Sequence, residues 1–138
     1  MTIDELRELT NKKGNGNRKV RNARKRERDG ITFDSGLEMY MYDLLRLGNV
    51  SFEFQKKYEL QPGFRYNGVA VRAITYTVDF YLPNHNCVID TKGVLTQQGT
   101  IRIKLLKKYF FDNGINMEIH LPKDKNECMK LLNELTNQ

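Results

Sequence analysis

Apolar residues recur at helical spacing in several separate stretches of the chain. The clearest helix follows Ser35, a residue type that caps helices, and runs to about Leu47 before Gly48 ends it. Its apolar positions at helical spacing are Leu37, Tyr40, Met41, Leu44 and Leu45. The same period predicts three other helices, over Thr2–Leu9, Ile101–Asp112 and Asp124–Leu135. The helix over 101–112 is expected to turn one stripe toward the core, made of Leu105, Leu106, Tyr109 and Phe110.

Alternation of apolar and polar residues predicts strands between those helices. Asn67-Gly68 is the strongest hairpin signal in the chain, and Pro62-Gly63 marks another turn. The predicted strands are Phe52–Gln61, Phe64–Tyr66, Val69–Val71, Ile74–Leu82, Cys87–Lys92 and Asn116–Leu121. The order α-βββ-α-β-α indicates an α/β (α+β) fold, with a mixed central sheet flanked by helices.

Two aspartates lie in the hairpin whose turn is centred between Asn84 and His85. A simple register places Asp79 directly opposite Asp90, with Cβ atoms about 4.5–5.5 Å apart. Lys92 follows Asp90 by two residues and is expected on the same face of the strand. Opposed like charges destabilise a sheet, and a Mg²⁺ ion, which takes oxygen ligands, would relieve the repulsion. The alternative is a polar hairpin whose charges lie in solvent.

Composition is that of one globular domain with a modest core. The chain has 138 residues, of which 39% are hydrophobic and 29% charged. Cys87 and Cys128 have no metal-ligand neighbour at CxxC spacing, which argues against a zinc ribbon and indicates reduced thiols in a cytoplasmic protein. No apolar run approaches the roughly 20 residues that span a bilayer, and no signal-peptide segment opens the chain.

Positive charge is concentrated at the start of the chain. Residues 1–30 hold 10 Lys/Arg and 5 Asp/Glu, so they carry most of the net charge of +6. We expect a basic, flexible arm over 1–30, followed by one domain over 31–138. Such an arm suits a nucleic-acid backbone, although a solvated tail that only aids solubility has a similar composition. The cations that we assign to DNA binding are Lys12, Lys13, Arg18, Lys19, Arg21, Arg24, Lys25, Arg26 and Arg28.

Other charged residues have two open interpretations. Glu38 stands three residues after Ser35, so it fits a capping box, and it is equally the best acidic partner for the two aspartates. The helix over 101–112 carries cations that either contact phosphates or form an ordinary solvated face. Those cations are Arg102, Lys104, Lys107 and Lys108.

Four short motifs together resemble the PD-(D/E)xK nuclease superfamily, which has a restriction-endonuclease-like core. In chain order they are Ser35-Gly36-Leu37-Glu38, Tyr76-Thr77-Val78-Asp79-Phe80, Leu82-Pro83-Asn84 and Asp90-Thr91-Lys92-Gly93. The resemblance spans roughly residues 30–121. It is strongest to Holliday-junction resolvases of the phage endonuclease I type, and small phage proteins with the run Leu60-Gln61-Pro62-Gly63-Phe64 are also similar. Val78 replaces the usual proline, and Asp90 the more common glutamate, without loss of a functional group.

The resemblance implies hydrolysis of DNA phosphodiesters with one or two Mg²⁺ ions, for which Mn²⁺ would substitute. Asp79, Asp90 and the backbone carbonyl of Thr91 would hold the first ion, and Glu38 would help to hold a second. Lys92 would orient or help to deprotonate the attacking water. Glu38, Asp79, Asp90 and Lys92 are therefore the expected catalytic residues.

The implied substrate is branched DNA such as a Holliday junction. The implied assembly is a homodimer, because symmetric cutting of two strands takes two active sites. Two alternatives stay open. One is an endonuclease that nicks or cuts duplex DNA without junction preference. The other is a DNA-binding accessory of recombination or packaging with little activity.

Overall fold

The structure, a computed structural model, describes residue 3, residues 26–92 and residues 94–137. Two compact units divide the chain at residues 51/52 and 121/122, and each is considered separately below. The helix predicted over 2–9 lies outside the described residues except for Ile3, as do the arm cations before Arg26. The elements are β1 (Arg26–Arg28), β2 (Ile31–Phe33), α1 (Gly36–Leu47), β3 (Glu53–Gln61), β4 (Phe64–Tyr66), β5 (Val69–Val71), β6 (Ile74–Leu82), β7 (Cys87–Ile89), α2 (Gln97–Asp112), β8 (Glu118–His120) and α3 (Lys125–Thr136).

The first unit, within residues 26–51 and 122–137, begins with a hairpin that the sequence pattern did not indicate. Strands β1 and β2 pair antiparallel around Asp29 and Gly30, whose φ angles of 54° and 79° suit a two-residue turn. Residues 26–30 were expected to belong to the arm. The strand β1 reads Arg-Glu-Arg and has no apolar alternation, so only its partner β2 and the Asp-Gly turn mark it.

Helix α1 confirms the strongest helix prediction, with Ser35 as its N-cap. It packs against α3 in the same unit. Gly48 ends α1 with a φ of −81°, which is outside the left-handed region that favours glycine. A Cβ atom on Gly48 would lie 2.8 Å from Cδ1 of Leu132 in α3. The close approach of the two helices therefore explains this glycine better than turn geometry does.

The second unit, residues 52–121, contains a four-stranded mixed sheet in the order β3-β6-β7-β8. The pairs β3/β6 and β6/β7 are antiparallel, and β7/β8 is parallel. A parallel pair needs a crossover connection, and α2 supplies it between β7 and β8. Strands β4 and β5 form a separate two-stranded sheet around Asn67-Gly68, as predicted.

Helix α2 covers the sheet through Ile103, Leu106 and Phe110, which are buried together with Tyr58, Tyr76, Val78 and Val88. The predicted stripe is wrong at Leu105, which is 37% exposed. The buried residues Ile103, Leu106 and Phe110 follow the helical spacing i, i+3 and i+7. The face that contacts the sheet is therefore centred on Leu106, and the neighbouring Leu105 lies at its edge. The helix also begins a turn earlier than predicted, because Thr96 caps a first turn without large apolar residues.

The described residues form three helices of three turns or more and a mixed sheet, so the predicted mixed α and β class is confirmed. Strand β7 ends at Ile89 instead of Lys92, and β8 covers residues 118–120 instead of 116–121. Within the part of the chain that the structure describes, no helix combines the length and apolarity needed to cross a membrane.

Both cysteines are buried, with Cys87 1% and Cys128 0% exposed. Burial raises the pKa of Cys87 to about 11 and that of Cys128 to about 12, so neither is a thiolate near neutrality. We expect no reaction of the native protein with a disulfide reagent at pH 8, and reaction of both thiols in denaturant. A spectrophotometric thiol titration measures this, and rapid modification of the native chain would contradict it.

Candidate active site

The β6/β7 hairpin has the register that the sequence predicted. Phe80 pairs with Ile89, Tyr81 with Val88 and Leu82 with Cys87. The next step would pair Asp79 with Asp90, but the ladder ends before it. On the other side of β7, the backbone N–H of Asp90 donates to the carbonyl oxygen of His120, 2.9 Å away, at the end of β8. Asp79 therefore comes just before the residues of β6 that pair with β7, and Asp90 comes just after their partners in β7. Both aspartates lie at the open end of the hairpin.

Asp90 is a buried carboxylate, 2% exposed, with two partners on one oxygen. Its Oδ2 accepts a short hydrogen bond from the hydroxyl of Tyr76 and lies 3.2 Å from Nζ of Lys92. Burial, the hydrogen bond to Asp90 and the charges of Asp90 and Asp79 raise the pKa of Tyr76 above its ordinary value. Tyr76 therefore keeps its proton and donates a hydrogen bond to the Asp90 carboxylate. Lys92 supplies the cation that this buried carboxylate needs as a partner.

Asp79 holds the segment that follows β7. Its Oδ2 accepts from the backbone N–H of Thr91 at 2.8 Å and from the Thr91 hydroxyl at 2.7 Å. These bonds join the motif aspartate of β6 to the residue between Asp90 and Lys92. The structure thus brings together four predicted site residues, Asp79, Asp90, Thr91 and Lys92.

A pocket of about 200 Å³ opens beside Lys92 and the first turn of α2. Arg102, a predicted DNA contact, reaches this pocket, and the remaining lining residues are Tyr76, Thr77, Thr96, Gln98 and Gly99. Lys92 and Arg102 supply positive charge, and the described lining residues include no acidic side chain. The first turn of α2 also has no acidic residue, so the partial positive charge of the helix N-terminus is not neutralised there. The pocket suits an anion such as a phosphate.

Glu38 belongs to the first unit, where it is 3% exposed. Its backbone N–H donates to Oγ of Ser35 at 3.1 Å, and its Oε2 accepts from the N–H of Asp34 at 3.2 Å. The capping interpretation is therefore supported, with the glutamate reaching one residue beyond the N-cap. Among the residues that the structure describes, no group of three or more His, Cys, Asp or Glu side chains is arranged to hold a metal ion. The ligand set that includes Glu38 stays a prediction.

The cations assigned to DNA binding have different surroundings. Lys104, Lys107 and Lys108 are exposed on α2, and Lys108 forms an ion pair with Asp112 at 2.9 Å. Arg26 is exposed at the start of β1. Lys12, Lys13, Arg18, Lys19, Arg21, Arg24 and Lys25 lie outside the described residues.

Arg28 forms an ion pair at 3.2 Å with Asp43, whose side chain is only 9% exposed, whereas the ion pair of Lys108 lies on the surface. Burial raises the pKa of Asp43, and the charge of Arg28 opposes that shift. The pair borders a pocket of about 430 Å³ in the first unit, which is also lined by Asp29, Arg46, Leu47 and Asn49. Arg46 pairs with Asp29 there, so the charges of this pocket balance one another. Arg28 is better explained as a structural residue than as a free phosphate contact.

Tyr76 is the site residue that sequence reasoning missed, because strand alternation places it on the face of β6 opposite to Asp79. We expect Tyr76→Phe to reduce the free energy of unfolding by about 1.5–3 kcal/mol, since a buried hydrogen bond to a charged group is lost. Tyr58→Phe is the matched control. The Tyr58 hydroxyl is buried without a hydrogen-bond partner among the described residues, so its removal should be nearly neutral. Urea unfolding measures both, and equal losses would contradict the assignment.

The sequence matches the family described as Protein of unknown function (DUF1064) over residues 18–126. The match covers most of the chain, and the protein belongs to this family. Comparison with curated proteins gives no match. Comparison with solved structures also gives none.

Proposed function

We propose that this protein is a metal-dependent DNA endonuclease with a restriction-endonuclease-like core of the PD-(D/E)xK type. The observation that supports this most strongly is the meeting of Asp79, Asp90 and Lys92 beside a cationic pocket. Asp79 comes from β6, whereas Asp90 and Lys92 come from the segment after β7, and the three residues match the motif order that suggested a nuclease. An acidic pair next to a phosphate-sized cationic pocket suits phosphodiester hydrolysis.

The donor set of this cluster fits Mg²⁺, which is commonly held by one or two carboxylates together with waters and phosphate oxygens. Asp79, Asp90 and the Thr91 carbonyl would hold the ion, Mn²⁺ would substitute, and Glu38 would contribute to a second ion. The two described side-chain partners of Asp90 both contact Oδ2, which is compatible with a ligand role for Oδ1. When bound, the ion would polarise a phosphoryl oxygen and lower the pKa of a bound water.

The side chains around the cluster have separate tasks in this proposal. Tyr76 and Lys92 hold the Asp90 carboxylate in one orientation, and Thr91 does the same for Asp79. Lys92 is 39% exposed, so its ammonium group can also contact an attacking water. Arg102 and the N-terminus of α2 would bind a phosphate oxygen in the pocket.

The direct test is cleavage of supercoiled plasmid and of a four-way DNA junction by the purified full chain. We expect cleavage with Mg²⁺ or Mn²⁺ and none in EDTA. Asp79→Asn should remove cleavage, because the amide keeps an acceptor for Thr91 but lacks the charge. Glu134→Gln, which neutralises an exposed carboxylate on α3, is the matched control and should cleave normally. Cleavage by Asp79→Asn at the wild-type rate would contradict the proposed site.

We further propose branched DNA as the substrate and a homodimer as the active form. A four-way junction and a linear duplex of matched sequence, at the same salt and Mg²⁺ concentrations, should be cut at different rates, with the junction faster. Equal rates would remove the junction preference and leave the nuclease proposal intact. Light scattering at the assay concentration tests the dimer, since a monomer that makes paired cuts would contradict it.

A DNA-binding accessory with little activity is the second candidate. One observation favours it: both aspartates already serve protein contacts, Asp79 to Thr91 and Asp90 to Tyr76 and Lys92. A structural role would use the carboxylates in this way. Wild-type protein that binds DNA but cleaves neither substrate with Mg²⁺ or Mn²⁺ would support this candidate over the nuclease.

A further inference from the structure

The β4–β5 hairpin is a two-stranded sheet of its own, separate from the sheet that carries the candidate site. Phe64 pairs with Val71, and Tyr66 pairs with Val69. Asn67 and Gly68 have φ angles of 51° and 79°, as expected of a tight hairpin turn. Paired residues point to the same face of an antiparallel sheet, so these four apolar side chains share one face.

That face is exposed. Phe64 is 47% exposed, Tyr66 66% and Val69 68%. Residues 61–70 are all exposed and Val71 is half-buried, so most of the hairpin is left uncovered by the part of the chain that the structure describes. A lone two-stranded hairpin is marginally stable in water, and a contiguous apolar face on a surface commonly marks a binding site.

The surrounding charge and the small area indicate what binds there. Residues 62–73 contain Arg65 and Arg72 and no acidic residue, so the hairpin is complementary to an anionic partner. A stable interface between two copies of the chain uses about 20–30 residues from each copy, far more than these four apolar side chains provide. Exposed flat rings on an element of positive charge are instead typical of surfaces on which unpaired bases stack.

We propose that the β4–β5 hairpin is a stacking platform for unpaired bases of DNA, with Phe64 and Tyr66 as its two rings. The rings lie two residues apart on one strand face, about 6.5–7 Å along the strand. Arg65 and Arg72 alternate with these residues along their strands, so they lie on the other face, from which they supply positive charge for the phosphates of a bound strand. Nη1 of Arg65 also donates to the Gly68 carbonyl at 3.2 Å. The choice of DNA rests on the proposed function. The platform adds a preference for single-stranded or splayed segments, such as those at a branch point.

The experiment measures binding by fluorescence anisotropy, in EDTA, so that cleavage is not needed. The probes are a labelled single strand of about 16 nucleotides, within the range of known site sizes, and an abasic strand of the same length and charge. Phe64→Ala and Tyr66→Ala should each weaken binding of the normal strand about 5- to 150-fold and leave binding of the abasic strand nearly unchanged. Tyr66→Phe should bind like wild type, whereas Tyr66→Leu, which keeps apolar area but no ring, should not.

Phe111→Ala is the matched control, because Phe111 is an aromatic residue 78% exposed elsewhere in the same unit. It should change neither affinity. The platform proposal would be overturned if Phe64→Ala and Tyr66→Ala weakened binding of the normal and the abasic strand equally, or weakened neither. Wild-type binding by Tyr66→Leu would also overturn it. A change of oligomeric state in Tyr66→Ala would also overturn it, in favour of contact between copies. If the chain cleaves nothing but shows the ring-dependent preference, the nuclease proposal fails and the platform stands.

Discussion

Replacing Lys92 by alanine is expected to lower the rate of DNA cleavage by about 100- to 10,000-fold, the range for loss of a positioned acid–base group. In the proposed mechanism its ammonium group contacts the attacking water as well as Asp90. The same change should reduce the free energy of unfolding by only about 1–3 kcal/mol. The reason is that Lys92 is 39% exposed and the Tyr76 hydroxyl still donates to Asp90. Single-turnover cleavage and urea unfolding measure the two effects separately.

Two further variants test whether Lys92 acts on the attacking water or only balances the charge of Asp90. Lys92→Arg keeps a cation beside Asp90 and should recover stability, but a guanidinium group has a different shape and pKa, so cleavage should stay low. Lys130→Ala removes an exposed lysine of α3 and should affect neither quantity. If Lys92→Arg restores cleavage fully, Lys92 acts through charge alone and its proposed contact with the water is wrong.

The fold could be predicted where local signals determine it. Helix α1 has a capping serine and a regular apolar period, and the β6/β7 register follows from one turn between two apolar strands. The ends of strands were less predictable, because they depend on distant partners. Strand β7 ends at Ile89, where its pairing with both neighbours stops, and its last bond to β8 runs from the N–H of Asp90 to the carbonyl of His120, 30 residues later in the chain.

The candidate site was predicted only in part for a similar reason. Strand alternation puts Tyr76 and Asp79 on opposite faces of β6, and an ideal hairpin puts Asp90 on the face of Asp79. The observed bond from Tyr76 to Asp90 means that Asp90 departs from ideal hairpin geometry once the ladder ends. The pairing of Asp90 with Lys92 was predictable, because residues at i and i+2 share a side in extended backbone.

Surface charge was the least predictable feature. Arg28 and Arg102 belong to clusters of cations that look alike in the sequence. In the structure, Arg28 forms an ion pair with Asp43, whereas Arg102 reaches the pocket beside Lys92. A run of cations does not reveal which of them a nearby carboxylate neutralises, because that depends on tertiary contacts.

Replacing Phe80 by alanine is expected to reduce the free energy of unfolding by about 3–5 kcal/mol, the range for a buried phenylalanine. Phe80 is 0% exposed and pairs with Phe54 on one side and Ile89 on the other. Its ring also packs against Phe52 in a T-shaped arrangement at 5.4 Å between centroids. Phe80→Ala would leave a cavity in the middle of the sheet. Calorimetry should show a melting temperature lower by about 10–20 °C.

Phe111→Ala removes the same side-chain atoms at a surface position and should change stability by less than about 0.5 kcal/mol. Phe80→Leu retains most of the buried volume, so its loss should fall between the two. The Phe80 variants also test the candidate site. Phe80 is next to Asp79 in β6, and the Asp79 carboxylate holds Thr91 beside Lys92. If Phe80→Leu is well folded but cleaves more slowly than wild type, the orientation of β6 determines the geometry of the aspartates. Equal destabilisation by Phe80→Ala and Phe111→Ala would contradict the central position of Phe80 in the sheet.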